Sequence, residues 1–238
     1  MRVVPLKARL VSSRDLAPDV RHFEFEDLGV DNFAFTPGQF ISVREPVYGK
    51  EITRAYSIAS AQEGNRFALC LNRVPEGIVS PYLFSLQPGD EIDMHEPLGY
   101  FTLRHPDRRI VFVATGTGIA PFRSMLLHHL PRTLAHITLL FGVRHPEGLL
   151  YGEELERLAR EYPNFRFLPT VTRPNDRWQG RAGRVQAHLD EALALESPDD
   201  LPLVDVYICG LEAMVDDVRK NLKARGFDRK QIIYEKYD

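Results

Sequence analysis

The sequence predicts two domains of different class. Residues 1–103 read as a small antiparallel β-barrel or sandwich, and residues 109–238 as an α/β domain with a parallel, doubly wound sheet. Before residue 104 the apolar runs are short and separated by Pro-Gly, Gly and Pro, as in all-β domains. After residue 109 strand-like and helix-like segments alternate, the order that covers a parallel sheet with helices. The charged stretch R-H-P-D-R-R, 104–109, marks the change of texture. A chain of 238 residues is long enough for two small domains or one large one.

Seven strand-like runs fill the first part: VVPLKARLVSS, VRHFEFED, GQFISVRE, TRAYSIAS, RFALCLNRV, DEIDMHEP and YFTLR. Each reads as a strand. Pro37-Gly38 and Pro88-Gly89-Asp90 punctuate them as turns, and Ser80–Leu86 is the one predicted helix. In the second part RRIVFVATG is a run of consecutive apolar residues, as suits a strand buried on both faces. GIAPFRSMLLHHL follows as a helix with Phe122, Met125, Leu126 and Leu130 on one side. Then come strand HITLLFGV, helix GEELERLAREY, strand NFRFLPTVT, helix VQAHLDEALAL, strand VDVYICG, helix LEAMVDDVRKNLKARG and strand QIIYEKY. Gly226 is placed to end the last helix.

Composition excludes several classes. With 30 Lys+Arg against 33 Asp+Glu, the net charge of −3 excludes a generally basic nucleic-acid binder. Two cysteines, Cys70 and Cys209, make neither a disulfide scaffold nor a four-cysteine iron–sulfur or zinc site. The eight histidines show no ligand spacing, and no metal site is expected. Redox chemistry would need a bound organic cofactor or a partner's metal. The N-terminus has no long apolar run and no small-residue cleavage site, and no run is long enough for a membrane span. The expectation is therefore a cytoplasmic protein without membrane insertion.

Three short motifs carry chemistry. The sharpest is V-A-T-G-T-G-I-A-P, 113–121. Gly116 and Gly118 lie between the first parallel strand and its helix, where backbone N–H groups and the helix dipole suit a pyrophosphate. Thr115 and Thr117 add hydroxyls, and Pro121 is tolerated in the first helical turn. The third glycine of the full dinucleotide fingerprint is missing, and a plain glycine-rich turn remains the competing reading. In R-V-P-E-G-I-V-S-P-Y-L, 73–83, Gly77 and Ser80 sit where a strand gives way to a helix, with Arg73 as a nearby cation. Alone this reads equally as a barrel corner. In R-A-Y-S, 54–57, alternation puts Arg54 and Tyr56 on one side and Ala55 and Ser57 on the other. Arg suits a phosphate and Tyr a flat ring, but four residues also make an ordinary exposed strand face.

In this order and spacing, R-A-Y-S at 54–57, G-I-V-S at 77–80, G-T-G-I-A-P-F at 116–122, C-G-L-E-A-M-V at 209–215 and the C-terminal Y-E-K-Y resemble the ferredoxin–NADP⁺ reductase superfamily. The resemblance implies a six-stranded antiparallel flavin barrel followed by a five-stranded parallel NAD(P)-binding sheet. It implies that Arg54 pairs with the flavin pyrophosphate, that Tyr56 lies against the isoalloxazine ring, that Ser57 bonds near N5, and that Ala55 between them is also cofactor-binding. Gly77 and Ser80, with Arg73 nearby, would hold the pyrophosphate, which favours FAD over FMN. Gly116, Thr117 and Gly118 would cradle the pyridine nucleotide, with Thr115 beside them. Cys209-Gly210 would lie near the nicotinamide, although a small buried hydrophobe is the commoner role of a free cysteine. Glu235 resembles the family's carboxylate, and Tyr237 its flavin-covering aromatic, here followed by one further residue, Asp238. Ser57, Cys209 and Glu235 are the expected catalytic set.

The stretch 171–185 resembles the W-x-G-x-x-G-x-V pattern of oxygenase and flavin reductases. Thr172-Arg173 falls where NADPH-using relatives hold the 2′-phosphate, and no acid stands at 172 to favour NADH. Arg177, Arg181 and Arg184 add charge, although a solvated basic loop would look the same. The cofactors implied are FAD and NADP or NAD, with NADPH slightly favoured. The function implied is hydride transfer between NAD(P)H and FAD, and transfer of single electrons to ferredoxin, flavodoxin or an oxygenase component. The alternatives are the reductase component of an oxygenase, a free flavin reductase, or a non-enzymatic nucleotide-binding module. The last would need the 113–121 turn but not Arg54, Tyr56 and Ser57.

Overall fold

Strand alternation and helix periodicity both resolve into regular elements in the computed structural model, which describes residues 5–47, 50–195 and 197–237. Contacts divide these residues into two units. One runs up to Thr102 and includes Ala120–His128; the other comprises Leu103–Ile119 and the chain from His129 onward.

The first unit contains β1 (Pro5–Ala17), β2 (Val20–Asp27), β3 (Phe40–Val47), β4 (Lys50–Ser57), β5 (Arg66–Asn72) and β6 (Glu91–His95), with the short helix α1 (Val79–Ser85) between β5 and β6. All pairings are antiparallel in the order β4-β3-β6-β1-β2-β5. The chain beyond β4 then meets β5 through the bridge Ile58–Leu69, which closes the sheet on itself. Period-2 alternation fills the interior: Leu10, Phe23, Phe25, Ile41, Phe67, Leu69, Ile92 and Met94 are buried together. The Phe25 and Phe67 rings stack with centroids 5.6 Å apart, and Phe33 meets Phe67 at 4.7 Å. YFTLR, the seventh predicted strand, forms none. β6 already has β1 and β3 on its two edges, so a further run finds no free edge there. Tyr100 is exposed and only Phe101 is buried, with its ring 5.7 Å from that of Phe122.

The second unit holds β7 (Arg109–Thr115), β8 (Ile137–Val143), β9 (Phe165–Val171), β10 (Arg181–Ala182), β11 (Val204–Leu211) and β12 (Ile232–Tyr237) in one parallel sheet, ordered β10-β9-β8-β7-β11-β12. The helices after β7 are α2 (Ile119–His129), α3 (Gly152–Glu161), α4 (Leu189–Leu193) and α5 (Glu212–Ala224). Every residue of β8 is buried, and all of β11 except Leu211, which is why they read as unbroken apolar runs. The sheet has six strands where five were expected. The sixth, β10, is two residues long and pairs Arg181 with Thr170, too short to show any periodicity in the sequence. The predicted helix VQAHLDEALAL is a 3₁₀ turn, Val185–His188, followed by the five-residue α4.

The strand order locates the ligand end of this unit. The chain runs outward from β7 through β8, β9 and β10, then returns to the other side of β7 with β11 and β12. Connections therefore leave β7 and β11 in opposite directions at their carboxyl ends. That switch point is where open α/β sheets bind ligands.

Candidate flavin and nucleotide half-sites

The candidate flavin half-site consists of side chains on β4. Tyr56 pairs in register with Ile41 and packs half-buried on the barrel core; Ser57 pairs with Phe40 and is buried. Burial pushes the Tyr56 hydroxyl up to about 12, so the ring stays neutral. Arg54 and Ala55 are exposed. The Arg54 guanidinium donates from Nη1 to the Thr53 carbonyl at 2.8 Å, and among the described residues no carboxylate pairs with it. A flat ring face, a cation without a counter-charge and a buried hydroxyl thus follow one another on one strand. That set suits an aromatic ring system carrying a phosphate.

The second flavin segment is a tight turn. The Gly77 N–H donates to the Val74 carbonyl at 2.8 Å. The Val74 N–H donates to Ser80 Oγ at 3.0 Å, which ties the hydroxyl into the loop and leaves its proton to be donated. Ser80 is the second residue of α1, whose N-cap Ile78 supplies no side-chain cap. Arg73 stands apart from this turn's hydroxyl chemistry. It lines a cleft of about 490 Å³ together with Asp15, Asp19, Arg21 and Phe84. Two carboxylates and two guanidiniums line that cleft, and Asp15 is paired with Arg21 at 2.6 Å.

The candidate nucleotide half-site consists mainly of backbone. Cys209 lies in register with Ala114, so the ends of β11 and β7 are adjacent. The turn after β7 then passes so close that a Cβ on Gly118 would stand 2.4 Å from the Cys209 carbonyl oxygen. Gly210, at φ +148°, leaves room for the Thr115 hydroxyl, which a Cβ there would approach to 2.3 Å. Gly116 is the reverse case: its φ is +53° and nothing lies within 4 Å of where a Cβ would be. The open space faces a turn of N–H groups at the start of α2, as a phosphate requires. Among the described residues Thr115 Oγ1 is buried beside it with no hydrogen-bond partner, a costly state that a bound ligand would relieve.

The carboxyl end of β12 completes this half-site. Glu235 is in register with Cys209, and Tyr237 with Leu211. Cys209 is fully buried. Burial raises its thiol well above the usual range, the Glu235 charge adds to this, and a hydrogen bond with Tyr237 offsets part. The side chain is therefore a neutral thiol, consistent with both the packing role and a position beside a reacting ring. Thr115, Gly118, Cys209, Gly210, Glu235 and Tyr237 thus converge on the switch point.

Thr172 and Arg173 are exposed just beyond β9, where the Thr172 N–H donates to the Val143 carbonyl at 2.9 Å and the Arg173 N–H to the Arg144 carbonyl at 2.8 Å. Arg144, at the end of β8, was not singled out from the sequence; its signal was a basic residue directly after an apolar strand. Arg184 follows Gly183, whose N–H donates to the Val171 carbonyl at 2.9 Å. Arg181 does not share the role of these cations, because its Nε binds Glu191 at 2.7 Å. Trp178 pins the turn, donating from Nε1 to the Arg181 carbonyl at 2.9 Å.

Comparison with known proteins bears on both units. The family described as "Oxidoreductase FAD-binding domain" matches residues 7–103, and "Oxidoreductase NAD-binding domain" matches 112–220. The chain is 43% identical to ferredoxin–NADP reductase B of Sorangium cellulosum, over 98% of both chains. It belongs to the ferredoxin–NADP reductase family. It is also 31% identical to the toluate 1,2-dioxygenase electron transfer component of Pseudomonas putida, covering 97% of this chain and 67% of the relative. The Amycolatopsis cytochrome P450 reductase superposes with a TM-score of 0.86 at 28% identity, covering 98% of this chain and 70% of that one. This reductase is accordingly an oxidoreductase that binds FAD and a pyridine nucleotide and moves electrons between them. No helix among the described residues is long and apolar enough to cross a membrane, and they contain no cluster of three metal-ligating side chains.

Proposed function

We propose that this reductase takes hydride from NADPH onto FAD and delivers single electrons to a small separate carrier, ferredoxin or flavodoxin. The observation that carries the nucleotide half of this reading is the switch-point turn: an open Gly116, a Gly118 pressed on Cys209, and a Thr115 hydroxyl buried without a partner among the described residues. FAD supplies the conversion between a two-electron hydride and single electrons. The chain's residues bind and orient. Arg54 neutralises the flavin pyrophosphate, which Gly77 and Ser80 also contact; Ala55 and Tyr56 line the ring, and Ser57 donates to it near N5. Gly116, Thr117 and Gly118 hold the nucleotide pyrophosphate. Neutral Cys209 and Gly210 leave room for the nicotinamide, Glu235 governs protonation beside it, and Tyr237 supplies an aromatic cover. The flavin and nucleotide domains correspond to residues 1–103 and 109–238, and the cytoplasm is where such a carrier would be met.

Preference for NADPH rests on Arg144, Arg173 and Arg184 at neighbouring chain ends, with no acid at 172 to accept from a free ribose hydroxyl. A second reading, the electron-transfer partner of an oxygenase, draws on the similarity to the toluate dioxygenase component. Steady-state rates with NADPH and NADH, using an artificial acceptor and then ferredoxins, flavodoxin and oxygenase components, test both. Arg173→Ala is expected to raise KM for NADPH by about ten-fold and leave NADH kinetics unchanged, as for loss of one charge-assisted phosphate contact. Equal loss with both nucleotides would contradict the 2′-phosphate role. Fast turnover only with an oxygenase component would replace the carrier reading by the second one.

A further inference from the structure

The barrel's closing seam is irregular at the point where the flavin strand leaves it. Beyond β4, the bridge Ile58–Leu69 puts Ala59 opposite Ala68. An antiparallel pair of that kind exchanges two backbone hydrogen bonds. Only one is made: the Ala59 N–H donates to the Ala68 carbonyl at 2.7 Å. The Ala68 N–H turns instead to Ser60 Oγ at 3.0 Å. The Ala59 carbonyl, released from the ladder, accepts from Arg123 Nη1 at 2.6 Å. A side chain of α2 thus replaces a rung of the barrel, two residues beyond Ser57.

Arg123 is well placed to make this contact matter. It sits in the segment Ala120–His128 that packs within the barrel unit, and Phe122 beside it meets Phe101. It is also five residues beyond Gly118, the last residue of the nucleotide turn. Nearby His22 does not compete for the carbonyl as a second cation. Burial first, then the charges of Arg123 and Arg14, lower it to about 4, against a smaller opposing effect of Glu24.

We infer that Arg123 is a positioning residue for flavin reduction: by holding the Ala59 carbonyl it fixes the end of the strand that presents Tyr56 and Ser57. The inference rests on the flavin role proposed for β4. A charged donor to a released carbonyl makes a stiff anchor, whereas a ladder bond there would let the strand end follow β5. Small displacements of positioning groups are costly to rate even when binding survives.

The test compares FAD-loaded wild type, Arg123→Met, Arg123→Lys and Ser60→Ala by anaerobic stopped-flow with NADPH. FAD occupancy and the flavin difference spectrum on adding NADP⁺ are recorded for each. Arg123→Met is expected to slow flavin reduction by about ten-fold or more at full FAD occupancy, with KM for NADPH little changed, and to flatten the NADP⁺ difference spectrum. Arg123→Lys should recover part of both. Ser60→Ala frees the Ala68 N–H to take back the Ala59 carbonyl and should give a weaker version of the same defect, which keeps the test open if Arg123→Met fails to fold. Wild-type reduction rates in FAD-loaded Arg123→Met, or in Ser60→Ala if that variant alone folds, would overturn the inference. So would a rate loss that merely tracks FAD occupancy. A wild-type protein that takes up FAD but is not reduced by NADPH would instead defeat the underlying functional reading.

Discussion

The two candidate half-sites offer opposite materials for holding a dinucleotide. On β4 the chain offers side chains: a cation that no carboxylate pairs with among the described residues, a neutral ring and a buried hydroxyl, spaced by strand alternation. At the β7–β11 switch point it offers the absence of side chains: glycines that let one backbone pass against another and leave a turn of N–H groups open. Side-chain sites fail gradually, because each contact contributes a separate increment. Backbone sites fail abruptly, because one methyl group displaces a whole segment. The comparison can be broken by substitutions that do not follow this division.

The largest effect is expected at Gly118. Its Cβ would lie 2.4 Å from the Cys209 carbonyl oxygen and 2.9 Å from the Gly210 nitrogen, all backbone atoms that cannot move aside. Gly118→Ala should abolish pyridine-nucleotide-dependent activity, by more than about 100-fold in kcat/KM, while FAD remains bound. Gly116→Ala meets no clash but must hold φ +53°, a strain of about 1–2 kcal/mol. It should leave the fold intact and weaken nucleotide binding by filling the open space. Equal effects of the two substitutions, measured by nucleotide titration and turnover, would erase the proposed distinction.

A smaller, graded loss is expected in the flavin half-site. Arg54→Ala should weaken FAD retention by about ten-fold, the scale of one charge-assisted contact, and leave reduction of the remaining bound flavin near normal. FAD dissociation followed by flavin fluorescence checks it. Complete loss of FAD would make this half-site as abrupt as the other.

The third expected effect is on stability alone and concerns the barrel. His22 is buried and held neutral, with its pKa lowered from 6.5 to about 4. Between those values the unfolded chain binds a proton that the folded barrel refuses, so stability falls as pH drops through that window. The fall is of order 2–3 kcal/mol, and Glu24, whose pKa is also lowered in the folded barrel, adds to the loss at lower pH. Urea midpoints taken from pH 7 to pH 4.5 should decline for wild type and flatten for His22→Gln. Parallel declines would assign the acid sensitivity to other groups.

The same division explains what was legible in the sequence. Buried strands such as β8 and β11 declared themselves as apolar runs because both faces are covered. The nucleotide turn was visible because glycine has few substitutes where backbones touch. R-A-Y-S was weak in isolation and gained weight only from its order among the other motifs, since one alternating strand resembles another. Other features were hidden because they depend on pairing. YFTLR has a strand's alternation but no edge to join, and β10 is a strand only because Thr170 lies opposite Arg181. Arg181 looked like one more cation of a basic loop until Glu191 was found across from it. Arg144 gained its place only when β9 brought Arg173 alongside.

The central claim is that the two half-sites serve one transfer, from pyridine nucleotide to FAD. It is tested most directly by adding NADPH anaerobically to the FAD-loaded protein and following the visible flavin band. The account expects the band to bleach rapidly, and to bleach far more slowly in Gly118→Ala with its FAD still in place. A protein that holds FAD and binds NADPH, yet keeps its flavin band unchanged, would contradict it.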